Sequence, residues 1–437
     1  MIASQLSPSP ERGQPATVAA MHDFAAKLLQ PSLIGRLQAY VRWQVARREA
    51  GDGPEGRGVA AAAAGSTAGG ALAPLDDVPV SINLDLTTAC NYACDHCVDF
   101  EILNTGRKYE HERLLASLAQ LARRGLKSVI VIGGGEPTLY PKFAEVMTRM
   151  KELGLQLGVV TNGTGMDKIL AVADRLDGRD WVRLSLDSGS DPTFQAMHKP
   201  KKTITLDEIC AGIPPVKQRS PALRIGFSYI IAWRGCSAND AQIVENVHEM
   251  YMAAERARRF RFDYISFKPF LVRADENNAE IVDLAQQAHR VAEVMGAIRQ
   301  QLEQSKRLET ERFKVVESTN LRVFLNDSWH EYNRQPRQCH MTLFRQVLSP
   351  LGLFNCPVYR HVAKAQLGDK TAYAEDAAVA TTQAATAALI STFDASHECR
   401  QVTCLYNSAN WFIEELIRDP GRLETLRPTE ERHDYFL

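Results

Sequence analysis

The stretch VSINLDLTTACNYACDHC, residues 80 to 97, joins a short apolar strand to a polar, turn-rich loop that contains three cysteines. They are Cys90, Cys94 and Cys97, in a chain that has only nine cysteines. Structural zinc usually takes four ligands from paired short motifs, and no second pair lies near in the sequence, although His96 could serve as a fourth ligand. Three thiolates on an iron–sulfide cluster leave one iron open. The spacing therefore favours a reactive iron–sulfur cluster over a structural zinc ion.

Apolar segments of strand length recur after this loop, and amphipathic helical patterns separate them. A succession of six strand-then-helix units predicts a parallel sheet that is closed, or nearly closed, into a barrel. The expected fold class is α/β, with a partial (β/α)6 TIM-type barrel whose active site lies at the carboxyl ends of the strands. The predicted strands are VSINLDL (80–86), KSVIVIG (127–133), QLGVVT (156–161), WVRLSL (181–186), LRIGFSYII (223–231) and FDYISFK (262–268).

The remaining sequence divides around this barrel, which we place at residues 77–275. Residues 1–76 predict a helical extension, with helical spacing on both sides of Pro31, and then a flexible Gly- and Ala-rich linker. A helical connector is expected at 276–335, and a small domain with the last four cysteines at 336–437. The extension carries a basic helix face, which we interpret as a face of a packed helix rather than a membrane-surface helix.

The composition sets limits on partners and compartment. Lys plus Arg number 51 against 52 Asp plus Glu, so nothing in the charge indicates nucleic acid as a partner. The long apolar run at 59–73 consists of small residues and is shorter than the roughly 20 residues of a membrane span. With no signal-peptide pattern at the start, we expect a cytoplasmic protein, in which clustered cysteines indicate metal binding or catalysis rather than disulfides.

The CxxxCxxC loop after the first strand of a β/α barrel resembles the signature of the radical SAM superfamily, whose members bind S-adenosylmethionine (SAM) on the open iron. GGEP at 134–137 is similar to the family motif whose backbone binds the SAM amino group. VVTNG and LSLDSG end the third and fourth strands, where the family often places polar contacts to SAM. His96 occupies the position of an aromatic ring that contacts adenine. The implied SAM-binding residues are Gly134, Gly135, Glu136, Pro137, Asn162, Ser185, Asp187 and His96.

The resemblance implies a [4Fe–4S] cluster on Cys90, Cys94 and Cys97, with SAM bound to it. It also implies a reducing partner such as flavodoxin or ferredoxin. One-electron reduction of the cluster would cleave SAM to a 5'-deoxyadenosyl radical, which abstracts hydrogen from the substrate.

Four late cysteines form a second group in a loop-rich segment. From the residues alone, zinc and a second iron–sulfur cluster are comparable choices. Downstream of such a barrel, however, a cysteine, a glycine shortly before a second cysteine and a distant closing pair resemble the twitch or SPASM auxiliary-cluster domain. That resemblance implies one fully ligated auxiliary [4Fe–4S] cluster, although the final CxxxxC spacing departs from the commonest pattern. Its ligands would be Cys339, Cys356, Cys399 and Cys404.

Other residues near the strand ends are candidates of lower weight. Cys210 lies in a helical pattern and is interpreted as a buried apolar residue. Cys236, just beyond the fifth strand, could donate a hydrogen atom to a substrate radical, although an incidental loop thiol is favoured. Lys268 at the end of the sixth strand and Arg273 just beyond it could bind a carboxylate, a phosphate or the carboxylate of SAM, or equally pair with a helix end.

The sequence therefore predicts a radical SAM enzyme of the oxidoreductase type that acts on a small polar substrate such as a sugar or cyclitol. Two alternatives are a SPASM-type peptide-modifying enzyme and a radical epimerase that uses Cys236. A non-enzymatic zinc or electron-transfer module would account for the cysteines but not for the motifs at three further strand ends.

Overall fold

The structure is a computed structural model that describes residues 23–51, 77–273, 280–281 and 291–437. Its central feature is a ten-stranded sheet. The strands of this sheet are β1 (Ser81–Leu84), β2 (Ser128–Val131), β3 (Gln156–Thr161), β4 (Trp181–Ser185), β5 (Arg224–Ile231), β8 (Tyr264–Pro269), β11 (Lys314–Glu317), β12 (Arg345–Ser349), β13 (Gly352–Phe354) and β14 (Gln366–Gly368). Across the sheet they follow the order β11-β8-β5-β4-β3-β2-β1-β12-β13-β14. Two short ribbons pair β6 (Ser237–Ala238) with β7 (Ala241–Gln242), and β9 (Val272–Arg273) with β10 (Glu280–Ile281).

Helices cover the outer face of this sheet and extend from it at both ends. The α-helices are α1 (Phe24–Leu28), α2 (Ile34–Glu49), α3 (His111–Arg123), α4 (Phe143–Glu152), α5 (Met166–Val172), α6 (Asp191–His198), α7 (Leu206–Cys210), α8 (Ile213–Arg219), α9 (Met250–Arg259), α10 (Val291–Lys306), α11 (Thr319–Leu325), α12 (Trp329–Tyr332), α13 (Met341–Phe344), α14 (Asp376–Thr392), α15 (Ala395–Glu398) and α16 (Asn407–Arg418). Short 3-10 helices occur at Phe100–Ile102, Pro137–Leu139, Ala173–Arg175, Val247–Glu249, Ala363–Ala365 and Pro420–Thr425.

The six predicted strands are confirmed, and they pair in parallel in their sequence order, as β1-β2-β3-β4-β5-β8. Outward-facing side chains such as Val182, Leu184 and Phe227 are fully buried beneath the helices, in one large apolar cluster. Polar residues alternate with them and face the interior of the partial barrel. The predicted α/β class with a partial TIM-type barrel is confirmed, because parallel strands buried on both sides require this layering.

Strands beyond the predicted six lengthen the sheet at both ends. The segment expected to be a helical connector contains β11, which pairs in parallel with β8, as well as helices. Glu280–Ile281, placed in a helical stretch by the sequence, forms the ribbon with Val272–Arg273 instead. For β11 the reason is that β8 exposes an edge whose backbone groups need partners, a requirement that helical periodicity in the sequence does not reveal.

On the other side, β12 pairs in parallel with β1, and β13 and β14 continue antiparallel from it. The last four cysteines lie on loops around this addition, since Cys339 precedes β12 and Cys356 follows β13. The cysteine-rich segment is therefore joined to the barrel by main-chain hydrogen bonds to its first strand.

Residues 429–437 close the barrel at the amino ends of its strands. The Ser128 hydroxyl donates to the Tyr435 carbonyl at 2.8 Å, and the Tyr435 N–H donates to the side chain of Gln156 at 3.0 Å. The ring of Phe436 packs against Trp181 with centroids 5.5 Å apart. This closure leaves the carboxyl ends of the strands as the functional side of the barrel.

The predicted helices on both sides of Pro31 are present and pack on the main domain, whereas the predicted linker lies largely outside the described residues. Their basic face is not simply solvated. Arg42 is exposed, but three other arginines bond to the main domain, as Arg36 with Asp77, Arg47 with Ser391 and Arg48 with Glu414. None of the helices in the described part of the chain combines the length and apolar composition that a bilayer crossing requires.

Candidate active site

The three-cysteine loop is held in place from three sides. The Cys90 N–H donates to the side chain of Asn104, and the Ala93 N–H donates to the carbonyl of His198. From the ribbon after β5, the Asn239 amide donates to the Asp95 carbonyl at 2.6 Å. Loops after β1, β4 and β5 thus meet at the carboxyl edge of the sheet, where a barrel fold places its active site.

Burial raises the pKa of all three thiols, and that of Cys97 to about 12. Mutual repulsion of the developing thiolates adds to this effect at Cys94. The three thiols therefore stay protonated unless a positive group is nearby. A bound metal cation deprotonates its thiol ligands, so this site is suited to metal ligation.

His198, at the end of α6, contacts this loop directly. Its Nδ1 lies 3.2 Å from the Cys94 sulfur, and its Nε2 lies 3.0 Å from the Leu186 carbonyl. Asp187 Oδ2 lies 3.4 Å from both His198 and His96. Burial opposes ionisation of Asp187, but the two histidines beside it lower its pKa overall. His96 is therefore buried in a polar contact with Asp187, next to the ring of His198.

A single metal ion could use only part of this site. Within the described residues, the compact set of possible ligands is Cys94, His96 and His198, whose ligand atoms all lie within 4.8 Å of one another. Zinc bound by thiolates at about 2.3 Å requires ligand sulfurs about 3.8 Å apart. Because Cys90 and Cys97 lie outside the compact set, the three thiols suit a larger iron–sulfide group better than one zinc ion.

The glycine loop after β2 lies against the cysteine loop. Gly133 and Gly134 have φ of +78° and +67°, a backbone that residues with a side chain rarely adopt. A Cβ at Gly135 would lie 2.4 Å from the carbonyl oxygen of Ala89, so only glycine permits this approach. The Glu136 N–H donates to the same carbonyl at 2.8 Å. The loop therefore presents a narrow backbone surface beside the thiols, which fits the predicted binding of the SAM amino group.

Glu136 is buried and fully hydrogen-bonded within the protein. Its carboxylate accepts from the backbone N–H of Asn162 at 2.7 Å and from the hydroxyls of Thr138 and Thr161. The Asn162 amide donates in turn to the side chain of Asn91 in the cysteine loop at 2.8 Å. Burial raises the pKa of Glu136, against these hydrogen bonds. The structure thus brings the strand-end motifs of β2 and β3 together, and Pro137 begins the 3-10 helix that follows them.

At the end of β4, Asp187 adopts a left-handed backbone with φ of +49°. Its carboxylate accepts from the Ile230 N–H at 2.6 Å, and its carbonyl accepts from the amide of Asn246. Ser185 precedes it on the interior wall and is partly exposed there. The predicted roles of both residues toward SAM remain predictions, and Asp187 in addition holds the ends of β4 and β5 together.

A buried charged group connects the glycine loop with the second cysteine segment. Arg360, four residues after Cys356, lies 3.1 Å from both Asp85 and Asp99. Asp99 Oδ2 also accepts from the Gly134 N–H at 3.1 Å. Burial raises the pKa of Asp85 to about 8, whereas Arg360 and then His361 overcome burial and lower that of Asp99. One arginine is therefore shared between a protonated Asp85 and an ionised Asp99 at neutral pH.

The four late cysteines come together around one small apolar cluster. Burial raises the pKa of Cys399 and Cys404 well above the usual value, and the thiols of this group repel ionisation in one another. The Tyr359 hydroxyl lies 3.9 Å from the Cys399 sulfur, and the Asn410 amide lies 3.9 Å from that of Cys339. In the described part of the chain these thiols form no set within 4.8 Å, so their spacing again exceeds that of a zinc site.

Cys236 is buried in the large apolar cluster, in the loop that follows β5. Its N–H donates to the carbonyl of Trp233, and its carbonyl accepts from Ile243. Cys210 is fully buried on α7 as expected. Arg273 donates to the carbonyls of Val98 and Arg360. These contacts show that Cys236 and Arg273 take part in holding loops together. The role of Cys236 as a hydrogen donor stays a prediction.

Residues 84–224 match the model of the Radical SAM superfamily. The chain contains a radical SAM domain. Domains of this family bind a [4Fe–4S] cluster together with SAM, and the cysteine loop, the glycine loop and Asn162 fit that pair of groups in the positions just described.

Three relatives illustrate the range of this family. The chain is 32% identical to an S-adenosylmethionine-dependent nucleotide dehydratase of Flammeovirga pacifica over 135 residues. This aligned stretch covers 30% of this chain and 46% of that protein. A PqqA peptide cyclase of Methylorubrum extorquens is 31% identical over 121 residues, 26% of this chain and 31% of the relative. The crystal structure of Streptococcus suis SuiB superposes with a TM-score of 0.50 at 12% identity, covering 70% of this chain and 66% of SuiB.

The chain spans between 38% and 56% of the length of the three nucleotide dehydratases it matches. The similarity to SuiB shows a shared fold. Together these matches establish the radical SAM class and its cofactor, and they include relatives that act on nucleotides and on peptides.

Sequence reasoning missed several residues of the site. His198, Asn246, Asp85 and Arg360 contact the predicted motifs only through the tertiary structure. A signal was present for Asp85 alone, since a charged residue near the end of an apolar strand faces the barrel rim. His198 and Arg360 lie far along the chain from the residues they contact, with no spacing pattern that points to them.

Proposed function

We propose that the chain is a radical SAM enzyme of the oxidoreductase type that abstracts a hydrogen atom from a small polar substrate. The observation that carries this proposal is the meeting of three thiols, the glycine loop and Asn162 at the carboxyl ends of β1, β2 and β3. A reduced cluster with SAM bound there would supply the 5'-deoxyadenosyl radical as the hydrogen-abstracting group.

The residues of the chain divide the remaining tasks. We propose that Cys90, Cys94 and Cys97 bind the cluster and that the backbone of residues 134–137 binds the SAM amino group. Ser185 and Asp187 lie on the wall that would face the ribose or carboxylate, and His96 would contact adenine. His198 positions the Cys94 sulfur, and the closed amino end of the barrel limits the access of water to the interior.

For the second cysteine group we propose one auxiliary [4Fe–4S] cluster on Cys339, Cys356, Cys399 and Cys404. Four thiols leave no iron open, so such a cluster would transfer electrons rather than bind substrate. It would accept the electron that a substrate radical releases on oxidation. We propose a 77–275 barrel, a 276–335 connector and a 336–437 auxiliary domain, in a cytoplasmic enzyme reduced by flavodoxin or ferredoxin.

The class of substrate is proposed from the same observations. Similarity to a nucleotide dehydratase supports a small polar substrate with a sugar ring, and similarity to a peptide cyclase supports the peptide alternative. The helices at 24–49 pack on the main domain rather than present a sheet edge to a peptide, which favours the small substrate. An epimerase would require the Cys236 thiol, so Cys236→Ala that leaves product formation intact would rule out that alternative.

The first test is the production of 5'-deoxyadenosine by reconstituted protein with SAM and dithionite under anaerobic conditions. We expect about eight irons per chain in the wild type and about four after Cys94→Ala, which should also abolish 5'-deoxyadenosine. Cys210→Ala is the control, because this thiol is buried on α7 and lies away from both groups. Zinc in place of iron, or 5'-deoxyadenosine from the Cys94→Ala variant, would refute the proposal.

A further inference from the structure

Two cations face the interior of the barrel, one on β4 and one on β8. On β4, Val182 and Leu184 are fully buried under the helices, so the alternating Arg183 faces the interior. On β8, Phe267 is fully buried on the outer side, and Lys268 faces the interior in the same way. Both cationic side chains retain partial exposure there.

The strand register places hydroxyl groups between the two cations. Arg183 pairs in register with Gly226 on β5. Two residues further along the strands, the next set of interior-facing residues consists of serines on the neighbouring strands β4, β5 and β8. Lys268 lies two residues beyond Ser266 on β8. Its Nζ donates a hydrogen bond to the hydroxyl of Ser228, the serine on the middle strand, at 3.0 Å. The row of serines is Ser185, Ser228 and Ser266.

Neither cation has a carboxylate partner among the residues that the structure describes. Arg183 stacks on the ring of Trp181 at 5.2 Å, and its Nε is buried without a hydrogen bond. The negative charge of Asp187 attracts Lys268 and raises its pKa, against the effect of burial. The carboxylate of Asp187, however, already accepts a hydrogen bond from the Ile230 N–H and lies between two histidines. In contrast, Lys217 at the other end of β5 forms an ion pair with Asp263 at 2.9 Å.

These two cations, without carboxylate partners among the described residues, lower the stability of the fold when no anion is bound. Burial, and then the charge of Arg183, lower the pKa of Lys268 well below its usual value. Burial likewise lowers the pKa of Arg183. Two desolvated cations that repel each other destabilise a fold unless an anion compensates them, and an unpaired buried charge at a ligand-accessible wall is typical of a binding site.

We propose that Arg183, Lys268 and the hydroxyls of Ser228 and Ser266 bind an oxyanion of the substrate, either a phosphate or a carboxylate group. The guanidinium provides paired donors in the planar geometry that such groups accept, and Lys268 provides a point charge at the other side. The serine hydroxyls add neutral donors. This assignment rests on the proposed function for the identity of the bound molecule as a substrate, and it narrows the substrate class to anionic metabolites.

The test uses the reconstituted full chain and two probes, inorganic phosphate and malonate, against chloride at constant ionic strength. We expect both probes to raise the Tm of the wild type and to leave that of Arg183→Gln and Lys268→Met unchanged. In chloride alone, Lys268→Met should raise the Tm by roughly 2 °C, because it replaces an uncompensated buried cation with an apolar side chain. Lys268→Gln is the second variant if the methionine side chain does not pack.

The matched control is Lys217→Met, which removes a cation that has its own carboxylate partner. It should lower the Tm in chloride and keep the full response to phosphate. A wild type that responds to neither probe, or a response that persists in Arg183→Gln and in both Lys268 variants, would overturn the assignment.

SAM itself has a carboxylate, so a second measurement separates the two sources of the anion. Binding of SAM, measured by equilibrium dialysis, should stay within about twofold of the wild type in Arg183→Gln and Lys268→Met. A loss of roughly tenfold or more would assign the cations to the SAM carboxylate and refute a substrate site. Since neither measurement requires radical chemistry, failure here is distinct from an absence of 5'-deoxyadenosine.

Discussion

Arg360→Met should reveal how strongly the second cysteine segment is held to the barrel. The Arg360 guanidinium lies 3.1 Å from both Asp85 and Asp99, and all three side chains are at most 6% exposed. Removing the cation leaves Asp99 as a buried carboxylate that keeps only the Gly134 N–H and the weaker influence of nearby cationic groups such as His361, and breaking a buried ion pair in this way typically costs about 3–5 kcal/mol. We expect a loss of this size in the free energy of unfolding at pH 8, measured by guanidinium denaturation of the reconstituted protein.

The pH dependence of this loss makes the test specific. In the variant, Asp99 loses the charge that most strongly lowers its pKa, so burial should raise that pKa above the value in the unfolded chain, and the folded variant should bind a proton at Asp99 that the wild type lacks. The variant therefore gains stability relative to the wild type as the pH falls from about 8 towards 4, and the loss shrinks by up to about 1.4 kcal/mol per pH unit while Asp99 takes up its proton. Asp85 contributes little to this change, because its pKa is already about 8 in the wild type. A loss of the same size at pH 5 and pH 8 would refute the reasoning.

A surface pair provides the matched control for this experiment. Arg259 pairs with Asp207, and their side chains are 58% and 50% exposed. Because water screens such a pair, Arg259→Met should cost no more than about 1 kcal/mol at either pH. If Arg360→Met costs as little as this control, the buried network does not stabilise the fold.

Three further predictions concern other parts of the structure. Burial opposes ionisation of Glu414, yet His340 and Arg48 lower its pKa to about 2. Glu414→Gln should therefore lower the free energy of unfolding by about 2–3 kcal/mol at pH 7, and by progressively less below about pH 4.5. An equal loss at pH 3 would contradict this prediction. Gly135→Ala should weaken SAM binding at least about tenfold in equilibrium dialysis, because its Cβ meets backbone 2.4 Å away. Gly296→Ala, on the helix α10 with open space around it, should leave SAM binding unchanged. Cys356→Ala should lower the iron content by about four per chain and leave SAM binding intact, and retention of all the iron would exclude this thiol as a ligand.

The structure extends the sequence prediction most at the edges of the sheet. The six core strands were predictable because apolar residues of strand length alternate with amphipathic helices over the whole segment from Val80 to Pro269. The strand Lys314–Glu317 and the ribbon partner Glu280–Ile281 were not, because their sequences, KVVE and EI, contain too few apolar residues to mark a strand. Only the unpaired backbone groups of neighbouring strands explain why these segments are extended.

The sequence by itself determined the identities of the thiols, the glycine loop and the strand-end asparagine, because each lies within a few residues of a strand that its own periodicity reveals. Tertiary structure alone decided that His198 contacts Cys94, that Arg360 is shared by Asp85 and Asp99, and that Arg183 and Lys268 face one interior without an acidic partner among the described residues. The physical reason is that local periodicity depends on near neighbours along the chain. Charge compensation depends on which distant side chains share a buried volume, and this is fixed only when the barrel closes.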